Sequence, residues 1–271
     1  MQGQPLHQGV PTEPPLIWLL GGTADGPPLA AALLQRGWRV RLSVVSAAAT
    51  RVYAPHPQLQ LRVGDLADDT AVERELEQHR PRWVVDATHP FAERISARLE
   101  RVCRRRGQPL ERLQRPGLEG NGAAATVELP DLAALASLNL RGERLLLAIG
   151  SRQLAQALAA STADAHFARI LDRPASLQLA LAAGLRDEQL ACLRPSAPPS
   201  GAGETGALEM ALCRRWRISA VLCRAGGGRS EALWRLVCGQ LGLRLLLLQR
   251  PHGPGPVGLP LQPLLEKLGH P

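Results

Sequence analysis

The sequence predicts an α/β protein built on parallel sheets and divided into two units. Three observations carry this. Short apolar runs alternate with stretches of helical periodicity along almost the whole chain. Several of the apolar runs end in glycine-bearing turns. The two halves each close on the same tetrapeptide, Leu113-Gln114-Arg115-Pro116 and Leu248-Gln249-Arg250-Pro251. Strand and helix in strict alternation produce βαβ units with helices covering a parallel sheet. The expected division is a polar, Pro-rich leader over 1–15, a first domain over 16–120 and a second over 121–271.

The first element is Leu16–Leu20, an apolar run that leads into Gly21-Gly22-Thr23-Ala24-Asp25-Gly26. A helix follows from Leu29 to Arg36, with Pro27 and Pro28 in its first turn and Gly37 closing it. A strand, a glycine turn and a helix N-terminus together let backbone N–H groups approach a phosphate closely. Gly21, Gly22, Thr23 and Ala24 are therefore candidate cofactor contacts. The spacing differs from the common Gly-x-Gly-x-x-Gly, so the strand-turn-helix context carries the reading. Arg39–Val45 is the second strand, and Ser46 to Arg51 follow it. The end of a second strand of this kind faces the adenosine ribose, where an acid favours NADH and hydroxyls with an Arg accommodate a 2′-phosphate. Ser46, Thr50 and Arg51 without an acid point to NADPH, with NADH as the alternative.

Thr70 and Glu73 have capping-box spacing and predict a helix to His79. Arg82–Val85 is the third strand, ending in Asp86-Ala87-Thr88-His89-Pro90-Phe91-Ala92. Polar residues at the carboxyl end of a parallel strand lie where open α/β sheets bind ligands, which makes Asp86 and Thr88 candidate cofactor residues. His89 titrates near neutral pH and is the candidate catalytic proton donor. A long helix, Glu93–Arg106, leads to the strand Pro109–Leu113, and the Gly-rich stretch Gly117–Ala125 reads as a linker.

The second half repeats the scheme. Leu145–Ile149 is a strand that turns through Gly150-Ser151-Arg152 into a helix ending at Ala160. His166–Leu171 is a strand followed by Asp172-Arg173-Pro174 and a helix to about Gly184. Gln189–Leu193 is a strand, 195–206 a Pro-, Ser- and Gly-rich loop, and Ala207–Trp216 a helix. Ser219–Cys223 opens into Arg224-Ala225-Gly226-Gly227-Gly228-Arg229, a triple glycine flanked by arginines and a second anion-site candidate. A helix to Leu241, the strand Leu243–Leu248 and a last helix, Leu261–Leu268, finish the chain. The pattern gives two Rossmann-like parallel-sheet domains facing a shared cleft.

Composition excludes several classes. No apolar run approaches a membrane span, and the N-terminus lacks a signal core. Five cysteines without a Cys-x-x-Cys pair argue against a metal site or a disulfide framework and for free buried thiols in a reducing cytoplasm. The net charge of +8 suits an anionic partner, but no basic block interleaves with aromatics, so nucleic acid is not expected. A monomer or weak homo-oligomer is expected. Tyr53, the single tyrosine, has Pro57 four residues on, which argues against dehydrogenases that use Tyr-x-x-x-Lys.

Gly21-Gly22-Thr23-Ala24-Asp25-Gly26, Asp86-Ala87-Thr88-His89-Pro90-Phe91-Ala92 and the Arg115-Pro116 ending resemble the precorrin-6A reductase family of cobalamin biosynthesis, cobalt-precorrin-6A reductases included. The second half follows in order of elements at Ile149-Gly150-Ser151-Arg152, Arg169-Ile170-Leu171 and Gln249-Arg250-Pro251. It departs at Arg224-Ala225-Gly226-Gly227-Gly228, where the family usually carries Lys-Asp/Asn-Ser-Gly-Gly. It departs again at 194–206, where the family has Gly-Pro-Phe/Tyr. The resemblance implies an NAD(P)H-dependent oxidoreductase acting on a CH–CH group, transferring hydride to a ring-contracted tetrapyrrole, with a non-catalytic nucleotide-binding sensor or tetrapyrrole carrier as the alternative. The macrocycle's carboxylates would be held by Arg152, Arg173, Arg224, Gly227 and Arg229, with His89 supplying the proton.

Overall fold

The computed structural model describes residues 13–115, 117–118, 125–193, 206–251 and 257–271. The bulk of the leader (1–12), Pro116, most of the linker and most of the 194–206 loop lie outside the described residues. The chain divides into two compact units, one of 1–115 with 253–271 and one of 116–252.

The first unit is a five-stranded parallel sheet in the order β3-β2-β1-β4-β5. Its strands are β1 (Leu16–Leu20), β2 (Arg39–Val44), β3 (Leu59–Val63), β4 (Trp83–Asp86) and β5 (Leu110–Arg112). Helices α1 (Gly26–Gln35), α2 (Asp69–His79) and α3 (Glu93–Arg106) connect them. Central β1 is buried along its whole length, as a strand covered on both faces must be. Its alternation divides two cores. Ile17 and Leu19 pack with Leu29, Leu33 and Leu34 of α1, whereas Trp18 and Leu20 pack with Val72, Leu76, Leu99 and Val102 of α2 and α3. The Trp18 indole N–H, brought inside with its ring, donates to Ser43 Oγ at 2.9 Å.

One strand is added here and two expectations change. Leu59–Val63 is a strand pairing parallel with β2. The α2 N-cap is Asp68, which accepts the Ala71 N–H at 2.8 Å, so Thr70 lies inside the helix. The final helix does not stay with the second domain. Its leucines Leu264, Leu265 and Leu268 complete the core against α1 and β2, and Leu259 forms a parallel bridge with Leu113.

The second unit is a six-stranded parallel sheet in the order β6-β11-β10-β7-β8-β9. It comprises β6 (Ala125–Leu129), β7 (Arg144–Ala148), β8 (Ala165–Leu171), β9 (Leu190–Leu193), β10 (Ala220–Arg224) and β11 (Arg244–Leu248). Its helices are α4 (Leu154–Ala160), α5 (Pro174–Ala182), α6 (Ala207–Arg215) and α7 (Arg229–Leu241), and α8 (Leu261–Leu268) is the helix that returns to the first unit. The expected linker ends in β6, which pairs with β11. Trp216, Trp234 and Cys238 pack beneath β10 and β11. No helix among the described residues is long and apolar enough to cross a membrane. All five cysteines are free, four buried and Cys192 exposed, so the expectation of buried thiols fails at Cys192.

Candidate functional site

In the first unit the strand order reverses between β1 and β4, and the two singled-out turns leave those neighbouring strands side by side. Such a switch point opens a crevice at the carboxyl ends of the strands. Gly22 takes φ +117°, open only to glycine in practice, and space surrounds it. Gly21 donates to Ser43 O at 3.0 Å and Gly26 to Thr23 O at 3.2 Å. Among the described residues the N–H groups of Thr23, Ala24 and Asp25 donate no hydrogen bond. The helix behind them offers no free amide in its first turn, since Gly26 is bonded and Pro27 and Pro28 lack an N–H, so an anion cradle here would be made by the turn's own three unspent amides. A dinucleotide's phosphates fit this cradle.

Asp25, the α1 N-cap, is ion-paired with Arg115, which neutralises an acid that would repel phosphate. Thr23 Oγ1 donates to Ala87 O at 3.3 Å and so ties the two turns together. Tyr53, absent from the sequence-derived site, lies under the first turn. It is 7% exposed, and its hydroxyl has no hydrogen bond among the described residues. Burial raises its pKa, and the facing Gly22 backbone opposes the shift. Ser46 stands at the start of a short 3₁₀ turn, Ala47–Thr50, and Arg51 follows it, exposed and without an acidic partner among the described residues.

The second turn is organised from within. Asp86 is 3% exposed. Its Oδ1 accepts from the Thr88 N–H at 3.0 Å and the Thr88 hydroxyl at 2.6 Å, and its Oδ2 accepts from Ser96 Oγ at 2.6 Å. Both oxygens are thus engaged inside the protein, so the carboxylate shapes the loop and anchors α3. His89 Nδ1 accepts the Phe91 N–H at 3.2 Å. That bond leaves the proton of the neutral imidazole on Nε2.

In the second unit the switch point falls between β7 and β10. The Arg224 side chain crosses it to donate from Nη2 to Gln153 Oε1 at 2.7 Å. Gly150 takes φ +81°, a conformation that favours glycine, and the guanidinium stands in ordinary contact, 3.8 Å from where its Cβ would be. Gln153 was not legible as a site residue. Arg152 and Arg173 are exposed in the turns after β7 and β8, and Arg229 is exposed at the start of α7. The Gly227 N–H is already committed. It donates to Glu231 Oε2 at 2.8 Å, and Glu231 Oε1 pairs with Arg235 Nε at 2.8 Å. The expected anion turn therefore holds the chain's own carboxylate. A signal existed: Glu231 is three residues past the Gly228 cap, where a Glu reaches back to turn amides.

Two doubly wound parallel sheets, each with a switch point, define a Rossmann-like α/β protein. The comparisons narrow that class. A family model described as "Precorrin-6x reductase CbiJ/CobK" matches residues 16–266, so the chain belongs to the precorrin-6x reductase family. The cobalt-precorrin-6A reductase of Synechocystis sp. is 32% identical over 242 residues, covering 87% of this chain and 88% of that protein. The precorrin-6A reductase of Mycobacterium tuberculosis is 30% identical over 246 residues, covering 89% and 91%. The solved structure titled "CobK precorrin-6A reductase" superposes with a TM-score of 0.73 at 24% identity, over 94% of this chain and 96% of that one, a likeness of fold.

Proposed function

We infer that the protein is an oxidoreductase that reduces precorrin-6A, or its cobalt form, to the corresponding 6B product in corrin ring biosynthesis. The nicotinamide cofactor is NADPH. The observation that carries the cofactor reading is the turn at the end of β1, with three unspent amides and the open Gly22 at the switch point. When bound, the nicotinamide supplies hydride.

The chain's own residues bind and orient. Gly21, Gly22, Thr23 and Ala24 form the phosphate turn. Asp86 acts at one remove, by fixing Thr88 and the start of α3. Ser46 and exposed Arg51 take the 2′-phosphate, with no acid among 46–51 to favour a free ribose hydroxyl. Arg152, Arg173, Arg224 and Arg229 hold the substrate's carboxylates by charge-assisted hydrogen bonds, and the Gly227 turn supports Arg224 and Arg229. His89, protonated on both ring nitrogens, donates a proton to the reduced carbon framework and returns to the neutral imidazole. The partner is this anionic tetrapyrrole, not nucleic acid, and free thiols suit the reducing cytoplasm.

The test is turnover of precorrin-6A with NADPH and with NADH, in the wild type and in Arg51→Ala. The reading expects NADPH preferred, and the substitution to raise the KM for NADPH roughly tenfold while leaving NADH unaffected. Equal use of both nucleotides by the wild type would refute the NADPH assignment.

A further inference from the structure

Tyr53 and the glycine turn fit one another in a way that divides the glycines by purpose. A Cβ on Gly21 would stand 2.5 Å from Tyr53 Oη and 2.9 Å from Leu42 Cδ1, and one on Gly26 would press still closer on the same oxygen. A Cβ on Gly22 would meet nothing within 4 Å. Gly21 and Gly26 are therefore glycine to admit the phenol, and Gly22 alone serves the outward face. The ring is packed into the core of the first unit. The hydroxyl at its tip is a buried donor without a hydrogen bond among the described residues, a state that native proteins rarely tolerate without a reason. The same short segment carries the ribose-end groups. The Tyr53 N–H donates to Thr50 O at 3.1 Å, closing the turn that begins at Ser46 and runs into Arg51.

We propose that Tyr53 is a positioning residue of the nucleotide site, whose hydroxyl gains its hydrogen-bond partner when a dinucleotide pyrophosphate occupies the Gly21–Gly26 turn. The hydroxyl has no accessible surface beneath the turn, so the partner, a phosphate oxygen or a water that the phosphate orders, reaches it as the turn adjusts around the pyrophosphate. Through the 46–53 segment the phenol also couples the phosphate turn to the groups at the 2′-phosphate. This rests on the reading of the first unit as a nicotinamide dinucleotide site.

The experiment compares wild type with Tyr53→Phe, which keeps the ring and removes the hydroxyl. Three quantities are read: the melting temperature without ligand, the Kd for NADPH by fluorescence titration, and kcat at saturating NADPH. The proposal expects the Phe variant to melt at or above the wild-type temperature, because an unpaired buried donor has gone. It expects NADPH binding weaker by roughly 10- to 100-fold, the loss of a hydrogen bond to a charged acceptor, with kcat unchanged. Adenosine 2′-phosphate, which lacks the pyrophosphate, binds both proteins alike. Wild-type affinity in the Phe variant, or melting temperature and affinity falling together, overturns the proposal. A wild type that binds neither NADPH nor NADH overturns the nucleotide reading beneath it, a result distinct from any difference between the two proteins.

Discussion

Arg115, at the end of the chain's first parallel unit, ion-pairs with Asp25 at the N-cap of α1. Arg115 is 10% exposed at its side chain and Asp25 39%, so the pair lies partly out of water at the rim of the Gly21–Gly26 turn. The echoing Arg250, after β11, instead donates to Ala225 O at 2.8 Å. The shared Leu-Gln-Arg-Pro ending therefore serves two different contacts.

On the proposed nucleotide reading, removing the Arg115 guanidinium would uncover the Asp25 charge beside the cofactor's phosphates. Arg115→Ala is expected to weaken NADPH binding roughly tenfold, or about 1.4 kcal/mol, and more so at low salt. Adding Asp25→Asn restores most of the affinity. Calorimetric titration of the single and double variants reads both effects.

The returning helix α8 supplies core to the first unit. Leu264 is fully buried against it. Leu264→Ala is expected to cost about 2–5 kcal/mol in stability, the transfer and cavity terms of a buried leucine. Hydrogen exchange would show the loss in β1, β2 and α1 and spare β7, β10 and β11. Protection lost equally in both units would contradict that placement.

His166, whose Nε2 lies 2.9 Å from Ser161 Oγ, has its pKa lowered by burial. His79 is lowered by burial first, then by the Arg41 charge. Folding thus binds fewer protons than the unfolded chain does at these positions. Their contribution is fully present above the unfolded value of about 6.5 and is lost as pH falls through it toward the folded values. Melting temperature is expected to drop over that window. His166→Gln should flatten the slope.

Much of the first unit was legible because its information is local. The β1 run, its glycines and the prolines of α1 each announce their place within a few residues. β3 was not legible. Leu61 and Val63 on this edge strand are half exposed, and what makes it a strand is the ladder to β2, a non-local partner. The destination of α8 was hidden for the same reason: an amphipathic helix shows that it buries a face, not against which sheet. At the site, the glycines were visible, but the phenol that occupies two of them arrives from another turn. The Gly227 amide looks open in the sequence because Glu231, four residues on, reaches it only in the folded turn.

The most direct measurement is anaerobic incubation of the protein with precorrin-6A and NADPH carrying deuterium at the transferable position, followed by mass analysis of the tetrapyrrole. The account predicts a product that has gained one deuterium from the nucleotide and one hydrogen from solvent, with Gly22→Val folded but unable to form it. A tetrapyrrole left unreduced while the nucleotide is bound, or reduced without label from the nucleotide, would contradict it.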